Sequence, residues 1–454
     1  MPRAFILLLF LAAVAAADLQ QDLDELFDRT PVVADAVWTC GIHSLQTGEL
    51  LYQRNLDRAL IPASNQKLFV AAAALHELGP DFRSTTEFFT AGAIEDGTLH
   101  GNLVVRGNGA IVFTARYPSD LTAAERRDIL RGQVEKLAES LRARGIRTVR
   151  GGLFPDHSGG WQQVVTNEHY PCVGALSFNE NTVDIDVRDG LVIYAPEKLV
   201  SFAFRYKEWD GSQRRRRTSG RTDNIEINLG RDSQDYWRLE AMAPGTWYCA
   251  VLQDMLEDAG ITVRGEPLKL ETVPVPLLTL EGLSLRELLP DMVVYSDNFR
   301  AETLCLVLGH QRYGEAGFKN GGRAVRANLA GTGIDLRSFV ADDGSGLSRR
   351  NRVSAANMLS LLDTMLRSPH HEFWLDSLAV SGRSGTLKQH LPSLEGRVRA
   401  KTGTLRDVKA LSGYLFIDGE PAIAFAMIAN DLKTPGTAWP VFEKVLGLVT
   451  EEIQ

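Results

Sequence analysis

The chain has 454 residues, of which 44% are hydrophobic, and its formal net charge at pH 7 is −8. This length predicts two or three domains, and the negative charge argues against a protein that binds nucleic acid. The four cysteines and nine histidines are not spaced like a metal-ligand or redox motif. The sequence therefore predicts no metal site and no cofactor. No disulfide is assigned among Cys40, Cys172, Cys249 and Cys305, and Cys305 is expected to be a buried thiol in an apolar helix.

The first 17 residues have the pattern of a secretory signal peptide. Arg3 provides a positive charge, Phe5–Val14 is apolar, and Ala15–Ala17 provides small residues before a cleavage site. The apolar run is too short for a membrane-spanning helix, although a retained anchor is the alternative interpretation. Elsewhere the chain has no comparable apolar run. The mature protein is therefore expected in an exported compartment, without an integral membrane anchor.

A buried helix that begins at Ser64 is the next predicted element. Leu68–Leu75 is apolar on every side, as in a helix that lies inside a protein. Lys67 follows Ser64 by three residues, and on a helix this spacing brings the two Cβ atoms to about 5–6 Å. A serine hydroxyl needs a base to become a good nucleophile. Lys67 can be that base only if its pKa falls well below about 10.4. Burial lowers this pKa, and a second cation nearby, such as Lys401, would lower it further.

Several short elements are predicted in the middle of the chain. Alternating residues in Leu103–Arg106, in 176–187 and in Ile225–Asn228 predict strands. Trp247–Ala259 predicts a helix that leads into a strand at 260–263. The basic run 214–217 is interpreted as a solvated hairpin loop, with contact to an anionic polymer or lipid surface as the alternative.

A large inserted region is predicted from the spacing of three motifs. Ser64-x-x-Lys67 is followed by Ser296-Asp297-Asn298 and then by Lys401-Thr402-Gly403. The first interval is more than twice the second, although a compact catalytic domain of this kind needs no such gap. We therefore predict a discontinuous catalytic domain formed by 18–85 and 272–454. The inserted region 86–271 is expected to be strand-rich and to form two smaller nested domains.

The second motif precedes a helical pattern. Ser296 and Asn298 are therefore expected in a short connector that faces a cleft.

The third motif is predicted to lie on a sheet strand. The segment Gly396–Ala400 alternates and leads into Lys401. Leu411–Ile417 and Pro421–Asn430 flank Asp418-Gly419, a strong hairpin signal. Finally, 438–453 predicts an amphipathic closing helix.

The chemistry of the third motif suits an anionic ligand. Lys401 and the hydroxyl groups of Thr402 and Thr404 offer a carboxylate a charged, hydrogen-bonding site. Gly403 is expected to allow a substrate backbone to approach closely. Each motif alone can occur by chance, but the three in this order are typical of penicillin-binding proteins and class A β-lactamases, which attack a carbonyl group with a serine.

The chain resembles the class C low-molecular-mass penicillin-binding proteins, the D-alanyl-D-alanine carboxypeptidase/endopeptidase family. The resemblance covers nearly all of the mature chain. The segments that carry it are Ile61–Lys67, Ala175–Asn181, Tyr295–Asn298 with Ala301-Glu302, Asp343–Arg349, Asn351-Arg352, Ser384–Leu387 and Ala400–Leu405. A long insertion before the second motif is also typical of this family. Class A β-lactamases lack it, and the Glu-x-x-x-Asn sequence of their deacylating base is not found between the second and third motifs.

This resemblance implies a fold and a first set of roles. The fold is α/β (α+β), a penicillin-binding-protein/β-lactamase-like transpeptidase domain in which helices flank an antiparallel sheet. Ser64 would be the nucleophile and Lys67 its base. Ser296 would relay a proton to the leaving amine, and Asn298 would bond the substrate amide.

The resemblance also implies how the substrate is held. Lys401, Thr402 and Thr404 would hold the terminal carboxylate, and the backbone N–H groups of Ser64 and Thr404 would form the oxyanion hole.

Two residues are candidates for the far side of the substrate. Asp156, in Asp156-His157-Ser158, matches a family element that binds an ammonium group of the stem peptide, and Arg349 is a possible carboxylate partner. The segment 108–112 departs from the family pattern, so the architecture there is left open.

The implied function is that of a periplasmic serine DD-peptidase. Its partners would be peptidoglycan stem peptides and, as covalent inhibitors, β-lactam antibiotics. The protein would be soluble or loosely associated with the wall or membrane. A β-lactamase or esterase with the same nucleophile is one alternative, and a non-catalytic wall-binding homologue is another. Carboxypeptidase versus endopeptidase preference and oligomeric state are left open.

Overall fold

The computed structural model describes residues 19–31, 34–161, 172–188, 191–196, 202–206, 225–229, 235–240, 243–270 and 272–453. The predicted signal peptide (1–17) and the basic loop 214–217 lie outside these ranges. Among the described residues, no helix is both long enough and apolar enough to cross a membrane.

Ten α-helices are described, and we number them in chain order. They are α1 (19–29), α2 (Gln66–Leu78), α3 (Ala123–Ala143), α4 (Pro244–Asp258), α5 (Leu285–Val294), α6 (Asn298–Tyr313), α7 (Phe318–Leu329), α8 (Ala355–Leu366), α9 (His371–Asp376) and α10 (Trp439–Ile453).

The strands are numbered in the same way. They are β1 (Val37–Ser44), β2 (Leu50–Arg54), β3 (Arg83–Ala91), β4 (Ile94–Glu95), β5 (Thr98–Leu99), β6 (Asn102–Gly107), β7 (Thr148–Val149), β8 (Leu153–Asp156), β9 (Thr182–Arg188), β10 (Leu191–Ala195), β11 (Phe202–Tyr206), β12 (Ile225–Leu229), β13 (Asp235–Glu240), β14 (Thr262–Val263), β15 (Val275–Ser284), β16 (Ala379–Val380), β17 (Val398–Leu405), β18 (Val408–Ile417) and β19 (Glu420–Asn430).

The structure divides into two compact units. The first unit takes the described residues of Met1–Phe82, Leu285–Arg312 and Phe318–Gln454, and the second takes those of Arg83–Ser284 and Tyr313–Gly317. The subdivision of the inserted region into two smaller domains stays a prediction.

The first unit contains a six-stranded antiparallel sheet in the order β16-β17-β18-β19-β1-β2. Successive side chains of β1 point to opposite faces of the sheet. Trp38 and Ile42 pack into a core shared with α1 and α10. On the opposite face, the Thr39 hydroxyl accepts a hydrogen bond from the Ala355 N–H at the start of α8. Helices therefore cover both faces of the sheet, and the predicted fold class is confirmed.

The second unit combines small sheets with two helices. A four-stranded sheet has the order β15-β3-β6-β8, and a second one has the order β14-β7-β5-β4. Leu130 and Val134 of α3 share a buried core with Val251 and Leu252 of α4 and with Phe88 of β3. The unit is thus an α+β body with its own core.

Two details differ from the sequence-based expectations for this region. The 21-residue helix α3 was not predicted, although Thr122 and Glu125 form a capping box at its start. The strand expected over 176–187 begins only at Thr182. Asn179 and Glu180 have φ of 48° and 54°, left-handed values that interrupt an extended strand.

Candidate active site

Ser64 lies in a single 3₁₀ turn, Ala63–Asn65, that leads directly into α2. All residues from Gln66 to Leu75 are buried, so the predicted central helix is confirmed. Ser64 itself is only half-buried. Because Ser64 directly precedes α2, it stands at the positive end of the helix dipole, where a developing negative charge is stabilised.

Lys67 is fully buried and directs its ammonium group at Ser64. The distance from Lys67 Nζ to Ser64 Oγ is 2.9 Å. The same Nζ lies 2.8 Å from Asn298 Oδ1 and 2.7 Å from the Ser345 carbonyl oxygen. Three oxygen partners thus fix the nitrogen beside the serine hydroxyl, which is the arrangement that a general base requires.

Burial lowers the pKa of Lys67 to about 8, and the neighbouring carboxylates of Glu302, Asp343 and Asp297 oppose this decrease. A lysine with a pKa near ambient pH has a substantial neutral fraction, which is the form that accepts a proton. The lowered pKa that this role requires is present, and its main cause is burial, the first of the two causes considered from the sequence.

Glu302 is a part of the site to which sequence reasoning gave no role. Its buried carboxylate accepts hydrogen bonds from the N–H groups of Gly344 (2.8 Å) and Ser345 (3.1 Å). Burial raises the pKa of Glu302 to about 8, and the charge of Asp343 adds to the increase. Glu302 therefore holds the Gly344-Ser345 segment in place. The Ser345 carbonyl oxygen of this segment accepts the hydrogen bond from Lys67 Nζ. A charged residue just before the apolar stretch Leu304–Leu308 was the available signal.

Ser296 lies in the connector between α5 and α6, as predicted, whereas Asn298 is already the first residue of α6. Ser296 has φ of 62°, a left-handed value that is uncommon outside glycine. The Asp297 carboxylate accepts a hydrogen bond from the Arg300 N–H (3.0 Å) and so caps α6. This tight turn places Asn298 Oδ1 against Lys67, which joins the first and second motifs.

Lys401–Thr404 lies on β17, as predicted, and this strand packs against the turn that carries Ser64. The Asn65 side-chain amide donates to the Lys401 carbonyl oxygen (3.2 Å). A Cβ atom added at Gly403 would lie 2.7 Å from the Pro62 carbonyl oxygen. Glycine is therefore required here by packing against the Ser64 turn, whereas its contact with a substrate backbone stays a prediction.

The two threonines of this strand have different partners. Thr402 Oγ1 donates to Thr386 Oγ1 (2.8 Å). Lys409 Nζ donates to Thr404 Oγ1 (2.8 Å) from the register position opposite Thr404 on β18. Sequence reasoning did not single out Lys409, because it did not extend β18 to this position.

Lys401 and Lys409 are both buried, and neither has an acidic partner among the residues that the structure describes. Burial lowers the pKa of Lys401 well below its usual range, and the charges of Lys67 and Lys409 lower it further. Burial alone lowers the pKa of Lys409 to about 8. Within the described ranges, no carboxylate lies within ion-pair distance of either ammonium group. An anionic ligand would supply the negative charge that these two ammonium groups lack.

Asp156 and Arg349 already have ion-pair partners in the structure. Asp156 belongs to the second unit, and its carboxylate accepts hydrogen bonds from Arg106 (2.6 and 2.8 Å). Arg349 belongs to the first unit, where it forms a bidentate pair with Asp407 (2.7 and 2.8 Å). Their roles in substrate binding stay predictions.

The cysteines are buried in the described structure. Burial raises the pKa values of the Cys40, Cys249 and Cys305 thiols, so none of these three is an activated nucleophile at neutral pH. Among residues that the structure describes, no cluster of three or more His, Cys, Asp or Glu side chains is arranged to hold a metal ion.

The fold and the Ser-Lys-Ser-Asn-Lys arrangement define a serine hydrolase of the penicillin-binding-protein and β-lactamase class. The profile of the D-Ala-D-Ala carboxypeptidase 3 (S13) family matches residues 19–438. The chain belongs to this family. The predicted family resemblance is confirmed, and so is the predicted enzyme class, a serine-type D-Ala-D-Ala carboxypeptidase.

Two sequence relatives agree with this assignment, and a solved structure agrees with the fold. The chain is 29% identical over 460 residues to the D-alanyl-D-alanine carboxypeptidase of Actinomadura sp. strain R39, which covers 92% of this chain and 82% of the relative. It is 26% identical to D-alanyl-D-alanine carboxypeptidase DacB of Haemophilus influenzae, over 86% of this chain and 85% of the relative. The structure of penicillin-binding protein 4 (dacB) from H. influenzae superposes with a TM-score of 0.75 and 23% identity, covering 94% of this chain and 98% of that chain.

Proposed function

We propose that the enzyme hydrolyses D-alanyl-D-alanine peptides of peptidoglycan through an acyl-enzyme formed on Ser64. The observation that carries this proposal is the 2.9 Å contact between Ser64 Oγ and the buried amine of Lys67. As Ser64 Oγ bonds to the carbonyl carbon, its proton passes to neutral Lys67 Nζ, and the carbonyl oxygen becomes an oxyanion. The backbone N–H groups of Ser64 and Thr404 stabilise that charge.

Collapse of this intermediate breaks the bond to the terminal D-alanine. The proton held by Lys67 Nζ passes through the Ser296 hydroxyl to the leaving nitrogen, which returns Lys67 to its neutral form. The substrate amide forms a hydrogen bond with the Asn298 side chain. Water then attacks the Ser64 ester, again with Lys67 as the base, and releases the shortened peptide. These steps follow the general logic of an activated serine nucleophile.

The terminal carboxylate binds at Lys401, Thr402, Gly403 and Thr404. Two features support this assignment. The ammonium group of Lys401 lacks an acidic partner in the described ranges. On its other edge, β17 pairs with β16 only through Arg399 and Ala400. The following residues therefore offer backbone groups to an extended peptide, as in other complexes formed by strand addition.

The enzyme is proposed to act in the periplasm, on stem peptides and, through the same serine, on β-lactams. Removal of terminal D-alanine and cleavage of D-alanyl cross-links use the same reacting groups. Asp156 would bind an ammonium group and Arg349 a carboxylate of longer substrates, in exchange with their present partners Arg106 and Asp407.

Release of D-alanine from a D-Ala-D-Ala-terminated peptide tests this proposal. Wild-type enzyme should release it, Ser64→Ala should not, and Ser140→Ala, which alters a serine of the second unit, should match wild type. Activity of Ser64→Ala would contradict the mechanism.

Mass analysis of products from intact cross-linked muropeptides then separates carboxypeptidase from endopeptidase activity. Fast turnover of benzylpenicillin in place of a long-lived adduct would instead indicate a β-lactamase.

A further inference from the structure

Lys409 is a buried cation next to the carboxylate-binding strand, and the proposed mechanism gives it no role. Only 7% of its surface is exposed. Its ammonium group lies 4.5 Å from the centre of the Trp439 ring and 2.8 Å from Thr404 Oγ1. A buried charge without a counter-ion is costly. The presence of a lysine at this position therefore calls for a reason beyond packing.

The direction of one hydrogen bond supplies such a reason. An ammonium group only donates, so Thr404 Oγ1 must be the acceptor. The hydroxyl hydrogen of Thr404 is then directed away from Lys409. The Thr404 side chain is exposed, whereas Lys409 is buried beneath it. The outward O–H is thus presented to a ligand on the exposed side, and the adjacent positive charge makes it a stronger donor.

We propose that Lys409 is a positioning residue for carboxylate recognition, because it compels the Thr404 hydroxyl to donate to the terminal carboxylate of the substrate. Lys409 itself does not touch the ligand. It fixes the donor direction of Thr404 and adds a second positive charge beside Lys401. This proposal deepens the proposed function and rests on it.

The test compares ligands that differ only in the carboxylate. Benzylpenicillin carries this group, and its methyl ester does not. Lys409→Met should lower the second-order rate constant of acylation by benzylpenicillin about tenfold or more, the scale of a lost hydrogen bond to a charged group. The rate constant with the methyl ester should change less than about twofold, because that ligand accepts no charge-assisted hydrogen bond.

A matched control and a second variant keep the comparison interpretable. Lys444→Met removes one positive charge from the exposed side of α10 and should leave both rate constants unchanged. Lys409→Gln removes the charge but keeps a polar side chain, and it should show the same selective loss even if Lys409→Met folds poorly. Thermal unfolding of each variant establishes that the folded protein is being compared.

A double-mutant cycle identifies the route of the effect. If Lys409 acts through Thr404, Lys409→Met should add little in a Thr404→Val background. Equal losses for benzylpenicillin and its ester, or no loss with either, would overturn the proposal. Additive losses in the cycle would overturn the route through Thr404. Failure of the proposed function is distinguishable, because then wild-type enzyme would not form an adduct on Ser64 with either ligand.

Discussion

Lys67 and Lys401 are both buried in the first unit, but their charged neighbours have opposite signs. Lys67 has the carboxylates of Glu302 and Asp343 nearby, which favour its charged form and offset part of the desolvation. Lys401 has other cations as its charged neighbours, Lys67 and Lys409, which add to the desolvation. The first setting holds a pKa near ambient pH. The second leaves positive charge uncompensated in the described structure.

This difference in neighbouring charge suits two different functions, proton transfer and anion binding. A base that gains and loses a proton in each cycle needs both protonation states to be accessible, and internal carboxylates provide this for Lys67. A residue that recognises an anion needs its partner to arrive from outside, because an internal carboxylate would compete. The two settings therefore fit the proposed roles, proton transfer for Lys67 and carboxylate binding for Lys401.

Loss of the base should have the largest effect. Lys67→Ala should lower the rate constant of acylation by about 10²–10⁴-fold, the usual contribution of a general base. The measurement is adduct formation with a labelled penicillin, on protein shown by circular dichroism to be folded. Near-normal acylation would remove Lys67 from the mechanism.

Loss of the anion-binding lysine should have a smaller effect on activity and a different effect on stability. Lys401→Met should lower kcat/KM by about 10- to 150-fold, as for the loss of a hydrogen bond to a charged group. Its Tm should not fall, because replacement of an unpaired buried charge by an apolar side chain removes a desolvation cost. Lys67→Met should lower Tm, because it leaves nearby carboxylates unbalanced. Equal Tm changes in the two variants would contradict the comparison.

The pH dependence of acylation should report the Lys67 environment. With a pKa of about 8, the neutral Lys67 amine becomes more populated as pH rises, so the rate should increase as pH approaches 8. Above that pH the increase should stop, because Lys409, whose pKa is also about 8, loses the charge that supports carboxylate binding. Glu302→Gln removes a group that favours the protonated Lys67 amine when it is ionised. The inflection should therefore move to lower pH, by about one unit. A shift to higher pH would show that Glu302 acts on Lys67 in another way.

Substitution of Asp156 should have the smallest effect on acylation. Asp156→Asn weakens its pair with Arg106, and the free energy of unfolding should fall by about 1–2 kcal/mol. Acylation by benzylpenicillin should stay within about twofold of wild type, since this ligand carries no ammonium group to bind there. Arg106→Met is the matched control, because it breaks the same pair from the other side. If Asp156 binds substrate, only Asp156→Asn should raise KM for peptides with an ammonium side chain.

The sequence allowed the local parts of the fold and site to be predicted. Ser64 and Lys67 share one continuous helical segment, so their spacing alone anticipated the contact. The Asp418-Gly419 turn likewise predicted the hairpin of β18 and β19, and both turn residues have positive φ. In each case the signal lies within a few residues, where backbone geometry dictates the outcome.

Glu302, Lys409 and α3 were not predicted. They depend on contacts between distant parts of the chain or on sequence signals that are weak. Glu302 acts through backbone groups some 42 residues away along the chain, so its local sequence marks the residue but not its partners. The position of Lys409 opposite Thr404 requires a tight turn at Arg406-Asp407, which lacks the glycine of a strong hairpin signal. The helix α3 had a capping box at Thr122, but strand patterns elsewhere in the insertion dominated the interpretation.

Peptide mapping after reaction with benzylpenicillin tests the central claim most directly. Tryptic cleavage after Arg58 and Lys67 yields the peptide Ala59–Lys67, in which Ser64 is the only hydroxyl side chain. The account predicts that the penicilloyl adduct maps to Ser64 in this peptide. An adduct on a different residue, or no adduct on folded wild-type protein, would contradict it.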